Sequence, residues 1–141
     1  MSDVPCPCGS NTSYTSCCGP LHLGQRHAAT AEALMRSRYA AFARGQVDYL
    51  VETLHPSRRG ALDRAGLVES ARKLRWTGLT ITATEAGSIF DTEGVVAFEA
   101  RYRQGKRDGV LAERSRFVRE EGRWYYVDGD PTATLTRGAT S

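Results

Sequence analysis

The sequence predicts an α+β fold in which helices come first and an antiparallel sheet follows, with a small cysteine-rich metal knuckle in front. Three observations carry this reading. Apolar residues recur at helical spacing between Ala31 and Leu54, they alternate with period two from Trp76 to Asp128, and all four cysteines fall between Cys6 and Cys18. Helices followed by successive strands with short turns place the helices together on one face of a sheet.

Residues 5–19, PCPCGSNTSYTSCCG, are dense in Cys, Gly, Pro, Ser and Thr and hold too little apolar material to fold by burial. A linker with Pro20 and Gly24 follows. Thr30 has the chemistry of an N-cap and Gly45 that of a C-terminal stop, so a helix is expected over Ala31–Arg44. Val47, Leu50, Val51 and Leu54 share a face and predict a second helix, ended by His55-Pro56. A weaker helical stretch runs from about Leu67 to Leu74. The β-branched run Leu79 to Thr84 reads as a strand, and Gly94 to Tyr102 as another, with Val96, Phe98, Ala100 and Tyr102 on one side. Gln104 to Gly109 reads as a turn, Leu111–Glu120 as a third strand, Glu121-Gly122 as a tight turn and Arg123–Asp128 as a fourth strand. The expected division is 1–22 for the knuckle, 27–130 for the main domain and 131–141 for a flexible tail.

The chain has 141 residues, 40% of them apolar and 25% charged, which suits one soluble domain. No apolar run approaches membrane-spanning length. The N-terminus, Met-Ser-Asp-Val-Pro-Cys, lacks a basic start and an apolar stretch, so no secretory signal is expected and the reading is cytoplasmic. The formal charge is +3. Four thiolates around a divalent ion reduce this to about +1, which argues against a nucleic-acid or membrane partner.

The cysteines follow the pattern C-x-C-x8-C-C. In a reducing compartment such a cluster is a ligand set rather than a pair of disulfides. Cys6, Cys8, Cys17 and Cys18 offer four thiolates to one tetrahedral ion, with Zn2+ first and Fe2+ as its rival. Four protein ligands close the coordination sphere, so the metal's expected role is structural. Ser10 and Gly9 are placed to turn the backbone toward the sulfurs.

The segment CPCGSNTSYTSCCGPLH resembles the SEC-C motif, the zinc knuckle found at the end of the SecA motor protein. The continuation TAEALMRSRYAAFARGQVDYLVETLHPSRR, with ERSRFVREEGRWYYVDGD further on, resembles the YchJ family of functionally uncharacterised small bacterial proteins. The resemblance spans about residues 5 to 130. It implies a nuclear-transport-factor-2-like fold, a curved antiparallel sheet wrapped round helices as a cone with a cavity, and it matches the four cysteines to the motif's ligands. One feature departs from the motif. The SecA-type knuckle is lysine-rich between its cysteine pairs and docks acidic or phosphate-bearing partners, whereas Gly9–Ser16 holds no Lys or Arg.

Arg38 lies in the middle of the apolar face made by Leu34, Met35, Ala41 and Phe42, where a guanidinium must find a carboxylate or carbonyls. Glu113 is the expected partner and Asp128 the second choice. The pocket candidates are Arg38, Trp76, Glu99, Glu113, Trp124 and Asp128, which would hold a small polar ligand in the cone. His55 reads as a C-terminal helix cap, and His22 and His27 as solvent-exposed. No phosphate loop, Ser-His-Asp set or nucleotide fingerprint is present. The leading function is a zinc-binding adaptor that meets a protein partner through the knuckle. The alternatives are a cavity enzyme of isomerase or hydrolase type using a buried carboxylate, and a ribosome or nucleic-acid binder using Arg26, Arg36, Arg44, Arg58, Arg59, Arg72, Lys73 and Arg75. Oligomeric state is left open.

Overall fold

The structure, a computed structural model, describes residues 4–131. The N-terminal segment turns through a one-turn 3-10 helix, Tyr14–Ser16, into the short helix α1, Gly19–His22. Three further helices follow, α2 (Ala31–Arg44), α3 (Val47–Glu52) and α4 (Arg64–Lys73), with a 3-10 turn at Pro56–Ala61 between the last two. Four strands complete the chain: β1 (Arg75–Ala86), β2 (Glu93–Gln104), β3 (Arg107–Glu120) and β4 (Arg123–Pro131). They form one antiparallel sheet in the order β1-β2-β3-β4.

The expected helix limits hold where side chains set them. Thr30 Oγ1 accepts the Ala33 N–H at 3.0 Å, and Gly45 closes α2 with φ 72°. α3 stops two residues before the expected Leu54 because the chain there joins the sheet. His55 N–H donates to Tyr126 O, Tyr126 N–H donates to Thr53 O, and Leu54 bridges to Tyr126 in parallel fashion, which covers part of the β4 edge. α4 begins three residues earlier than Leu67, since Asp63 caps it by accepting the Gly66 N–H. The strands run longer than read because each is extended by its neighbour's pairing. The β2–β3 turn is only Gly105-Lys106, and Pro131 ends β4 rather than starting a tail. The rest of the expected tail, 132–141, lies outside the described residues, as do 1–3.

The core forms between α2 and the inner face of the sheet. Leu34, Met35 and Tyr39 of α2 meet Val96, Phe98 and Ala100 of β2, Phe117 of β3 and Trp124 of β4. Val96, Phe98 and Ala100 share this face as the period-two pattern requires, so Glu99 must point the other way. Side chains fill the space between α2 and the sheet. Beneath α2 a cavity of about 30 Å3, touched by Leu34, Thr53 and Trp124, has room for a water molecule or two.

Candidate metal centre

The knuckle is a small hairpin closed on itself. Cys6 N–H donates to Thr12 O, Tyr14 N–H donates to Val4 O, and Pro5 bridges to Ser13. Gly9, at φ 82°, takes the left-handed turn that brings Cys8 back over Cys6. Gly19 must lack a side chain, since a Cβ there would sit 2.8 Å from Tyr14 O. This winding gathers the Sγ atoms of Cys6, Cys8, Cys17 and Cys18 within 4.8 Å of one another. Cys8 and Cys17 sulfurs are 3.6 Å apart, and those of Cys17 and Cys18 are 3.9 Å apart. Four sulfurs about 2.3 Å from a tetrahedral ion lie about 3.8 Å from one another, so the set present fits one such ion.

The surroundings suit thiolates. Backbone N–H groups of Cys8 and Cys18 point at Cys6 Sγ, and Ser10 Oγ lies 3.2 Å from Cys17 Sγ. Without a cation Cys6, Cys8 and Cys18 compete for protons. The thiol of Cys18 donates to Cys8, which holds Cys8 down at about 4 and pushes Cys18 far up, while burial raises Cys6. A divalent ion would replace those shared protons. Cys6, Cys8 and Cys18 are buried, and Cys17 is half-buried on the outer side.

The knuckle is seated on α2. Ala40, fully buried, packs against Cys6, Cys8 and Cys18, and Arg36 Nη1 donates to Cys8 O at 2.8 Å. The guanidinium of Arg44 lies 3.8 Å above the Tyr14 ring centre. His22 is the bolt between the two parts and is not exposed as expected. Its Nε2–H donates to Ser37 O at 2.8 Å, Nδ1 accepts from Tyr14 OH at 2.6 Å, and its ring stands 4.7 Å from that of Tyr49. Burial lowers the His22 pKa from 6.5, which keeps the ring neutral as these two bonds require. Protonation therefore favours the undocked state. The docking energy is complete above pH 6.5 and declines as the pH falls through that value toward the lower folded one. His22→Ala is expected to cost about 1–3 kcal/mol of thermal stability near neutral pH and to flatten the mild-acid part of the stability curve. Melts of both proteins between pH 5 and 8 check it, and parallel curves would mean that His22 docks nothing. His27 is exposed, as the sequence suggests.

The six pocket candidates do not converge. Arg38 is buried, but no carboxylate pairs with it. Its Nη1 donates to Leu50 O at 2.9 Å and to Thr53 Oγ1 at 2.6 Å, and its guanidinium lies 4.6 Å from the Tyr126 ring centre. Burial draws its pKa down to about 10. Glu113 does face inward, yet it accepts from Ser115 Oγ at 2.7 Å and from Tyr126 OH at 3.0 Å. Tyr126 therefore stands between the expected partners, and burial beside that carboxylate raises its own pKa. Asp128 accepts from Arg116 on the outer face instead, at 2.5 Å. Glu99 is exposed, on the opposite side of β2 from Phe98 and Ala100. Trp124 is core, with Nε1–H donating to Ala29 O. Trp76 packs edge-on to Tyr39 and Tyr102. His55 caps the start of the Pro56 turn by accepting the Ser57 N–H, rather than capping the end of α3. Among the arginines proposed for nucleic acid, Arg36, Arg44 and Arg59 are engaged by the fold. Arg59 donates to the carbonyls of Val51, Glu52 and Leu54.

The sequence reading missed Ala40, Ser37 and Thr53. Ala40-Ala41 was a visible signal, since two small residues in mid-helix admit a close neighbour. Among the described residues no helix is long and apolar enough to cross a membrane.

The profile described as YchJ, middle NTF2-like domain, matches residues 30–129. The chain is 49% identical over 130 residues to UPF0225 protein SCO1677 of Streptomyces coelicolor, covering 92% of this chain and 98% of that one. The solution structure of RPA3114, a SEC-C motif-containing protein from Rhodopseudomonas palustris, superposes with a TM-score of 0.83 at 38% identity, over 92% of this chain and 99% of the other. A crystal structure of a SEC-C motif-containing protein from Psychrobacter arcticus superposes at 0.78 with 27% identity, over 97% and 86%.

Proposed function

The chain belongs to the YchJ family with its NTF2-like middle domain, and we propose that it is a cytoplasmic adaptor whose knuckle is held by one structural Zn2+. The observation that carries this is the closed set of four sulfurs on a knuckle fixed to α2. Four protein ligands leave no open position for a substrate or an activated water, so the ion's work is to fold the segment and present it. The closely packed core between α2 and the sheet supports a docking role for the domain as well. The enzyme alternative needs a carboxylate in an open cavity. Glu113 instead lies among Tyr126, Ser115 and the packed interior.

Two measurements test the reading. Reconstitution with Co2+ is expected to give the intense thiolate-to-cobalt absorption and visible bands of a tetrahedral four-sulfur site. Weak, octahedral-type spectra would contradict it. As isolated, a zinc protein is colourless, whereas iron in the same thiolate cage would colour it. For the adaptor role, partners cross-linked to the wild-type protein in cells are expected to disappear when all four cysteines are Ser. An unchanged set would remove the knuckle from the interaction.

A further inference from the structure

The four cysteines of the cage are not equally protected. Cys6, Cys8 and Cys18 are at most 4% exposed, whereas Cys17 is half-buried on the outer side of the knuckle. Cys17 and Cys18 also stand in the wall of a groove of about 350 Å3, with Thr12 and Ser16 of the knuckle on one side and Ala33 of α2 on the other. A small solute in this groove meets Cys17 first, since Cys18 beside it is 2% exposed. A cysteine that ligates a metal is a thiolate, which is the form that reduces peroxides. Burial then decides which of the four is reached.

The geometry also selects a partner for Cys17. Its Sγ lies 3.6 Å from that of Cys8 and 3.9 Å from that of Cys18. Cys18 is the next residue, and neighbouring Cα atoms across a trans peptide are about 3.8 Å apart, closer than a disulfide ordinarily allows. Cys8 is nine residues away, on the other arm of the hairpin. The Cys8 and Cys17 sulfurs need to approach by only about 1.6 Å to reach bonding distance.

We propose that Cys17 is an oxidation site for small peroxides and that the product, a Cys8–Cys17 disulfide, empties the cage, an inference that rests on the zinc reading above. The Cys17 thiolate attacks one peroxide oxygen, the O–O bond breaks and hydroxide leaves, which makes a sulfenic acid. The Cys8 thiolate then attacks that sulfur and displaces a second hydroxide. The two thiolates lose two electrons in total, and the peroxide gains them. Cys6 and Cys18 remain, too few ligands for a closed tetrahedral site. The Cys8 carbonyl is the one that Arg36 Nη1 holds at 2.8 Å, so the new bond also pulls at a point where the knuckle is docked to α2.

Hydrogen peroxide added to the full chain loaded with Zn2+ tests the proposal, with released metal and disulfide linkage followed together. Each ion released should match one disulfide, mapped to Cys8–Cys17, and a thiol reductant with fresh Zn2+ should restore the loaded protein. Dimedone, which traps sulfenic acids, should label Cys17 ahead of the other three. Cys17→His keeps four ligands, because three thiolates and an imidazole also hold Zn2+, and should release metal about tenfold more slowly. Cys6→His, the same change at a buried position, should release it as the wild type does. Should the Cys17 variant fail to load, the order of dimedone labelling and the mapped linkage decide. Metal retained by the wild type under peroxide that oxidises free cysteine would overturn the proposal alone. A different linkage, a first label on another cysteine, or equal release from Cys17→His and the wild type would do the same. A chain that never holds zinc would overturn the zinc reading, and this proposal with it.

Discussion

Arg38→Met is expected to destabilise the main domain by about 3 kcal/mol, enough to lower its melting temperature by several degrees. The arginine ends α3 as much as it fills the core. Leu50 O belongs to the last turn of α3 and receives Arg38 Nη1–H, so the guanidinium serves as a charged C-terminal cap from a neighbouring helix. Thr53 Oγ1 accepts from the same nitrogen and donates to Tyr49 O, which fixes the chain as it turns toward β4. Methionine would fill the space and leave Leu50 O without this donor. It would also remove the cation over the Tyr126 ring, whose hydroxyl donates to Glu113. Glu113 would then be a half-buried carboxylate without the cation that lies across the Tyr126 ring, so Glu113→Gln should recover part of the loss. A four-protein thermodynamic cycle should return a coupling of about 0.5–3 kcal/mol. Additive losses would show that Tyr126 isolates the two charges. Single variants as stable as the wild type would mean that Arg38 reaches water.

Chelation is the second large effect. Residues up to His22 have almost no apolar side chains of their own, and what they bury is mainly the cysteines. Structural Zn2+ in comparable small sites contributes about 10–16 kcal/mol of apparent binding free energy. Its removal is therefore expected to unfold the knuckle. The main core, built from α2 and the four strands, does not include those cysteines and should persist. Far-UV circular dichroism should lose only a small part of its signal, while amide exchange should rise sharply at Cys6–Cys18 and stay low in β2 and β3. Loss of most of the strand signal would show the knuckle to be part of the core.

The parts of this fold legible in the sequence are those set by local chemistry. Thr30 and Gly45 state the limits of α2 outright, and Glu121-Gly122, both at positive φ, announce the β3–β4 turn. The cysteine spacing displays its cluster in the same way. Asp63 was an available signal that the periodicity of Leu67–Leu74 obscured. Where the partner is distant in the chain, pattern gives less. The sequence shows that Arg38 is buried, but only the path of the chain, which leaves α3 through Thr53 to pair with Tyr126 of β4, selects Leu50 O and Thr53 over Glu113. Strand parity would have excluded Glu99, which alternates with Phe98 and Ala100 and so faces outward. His22 appeared to be a linker residue because neither Tyr14 nor Ser37 is near enough in sequence to suggest that it joins them.

The central claim is that Cys6, Cys8, Cys17 and Cys18 act together as one metal cage. Elemental analysis of the purified full chain beside a variant with all four changed to Ser tests it most directly. One equivalent of metal in the wild type, with zinc predominating, and none in the variant is the predicted result. A wild type without zinc or iron, or a variant that keeps the same metal content, would contradict it.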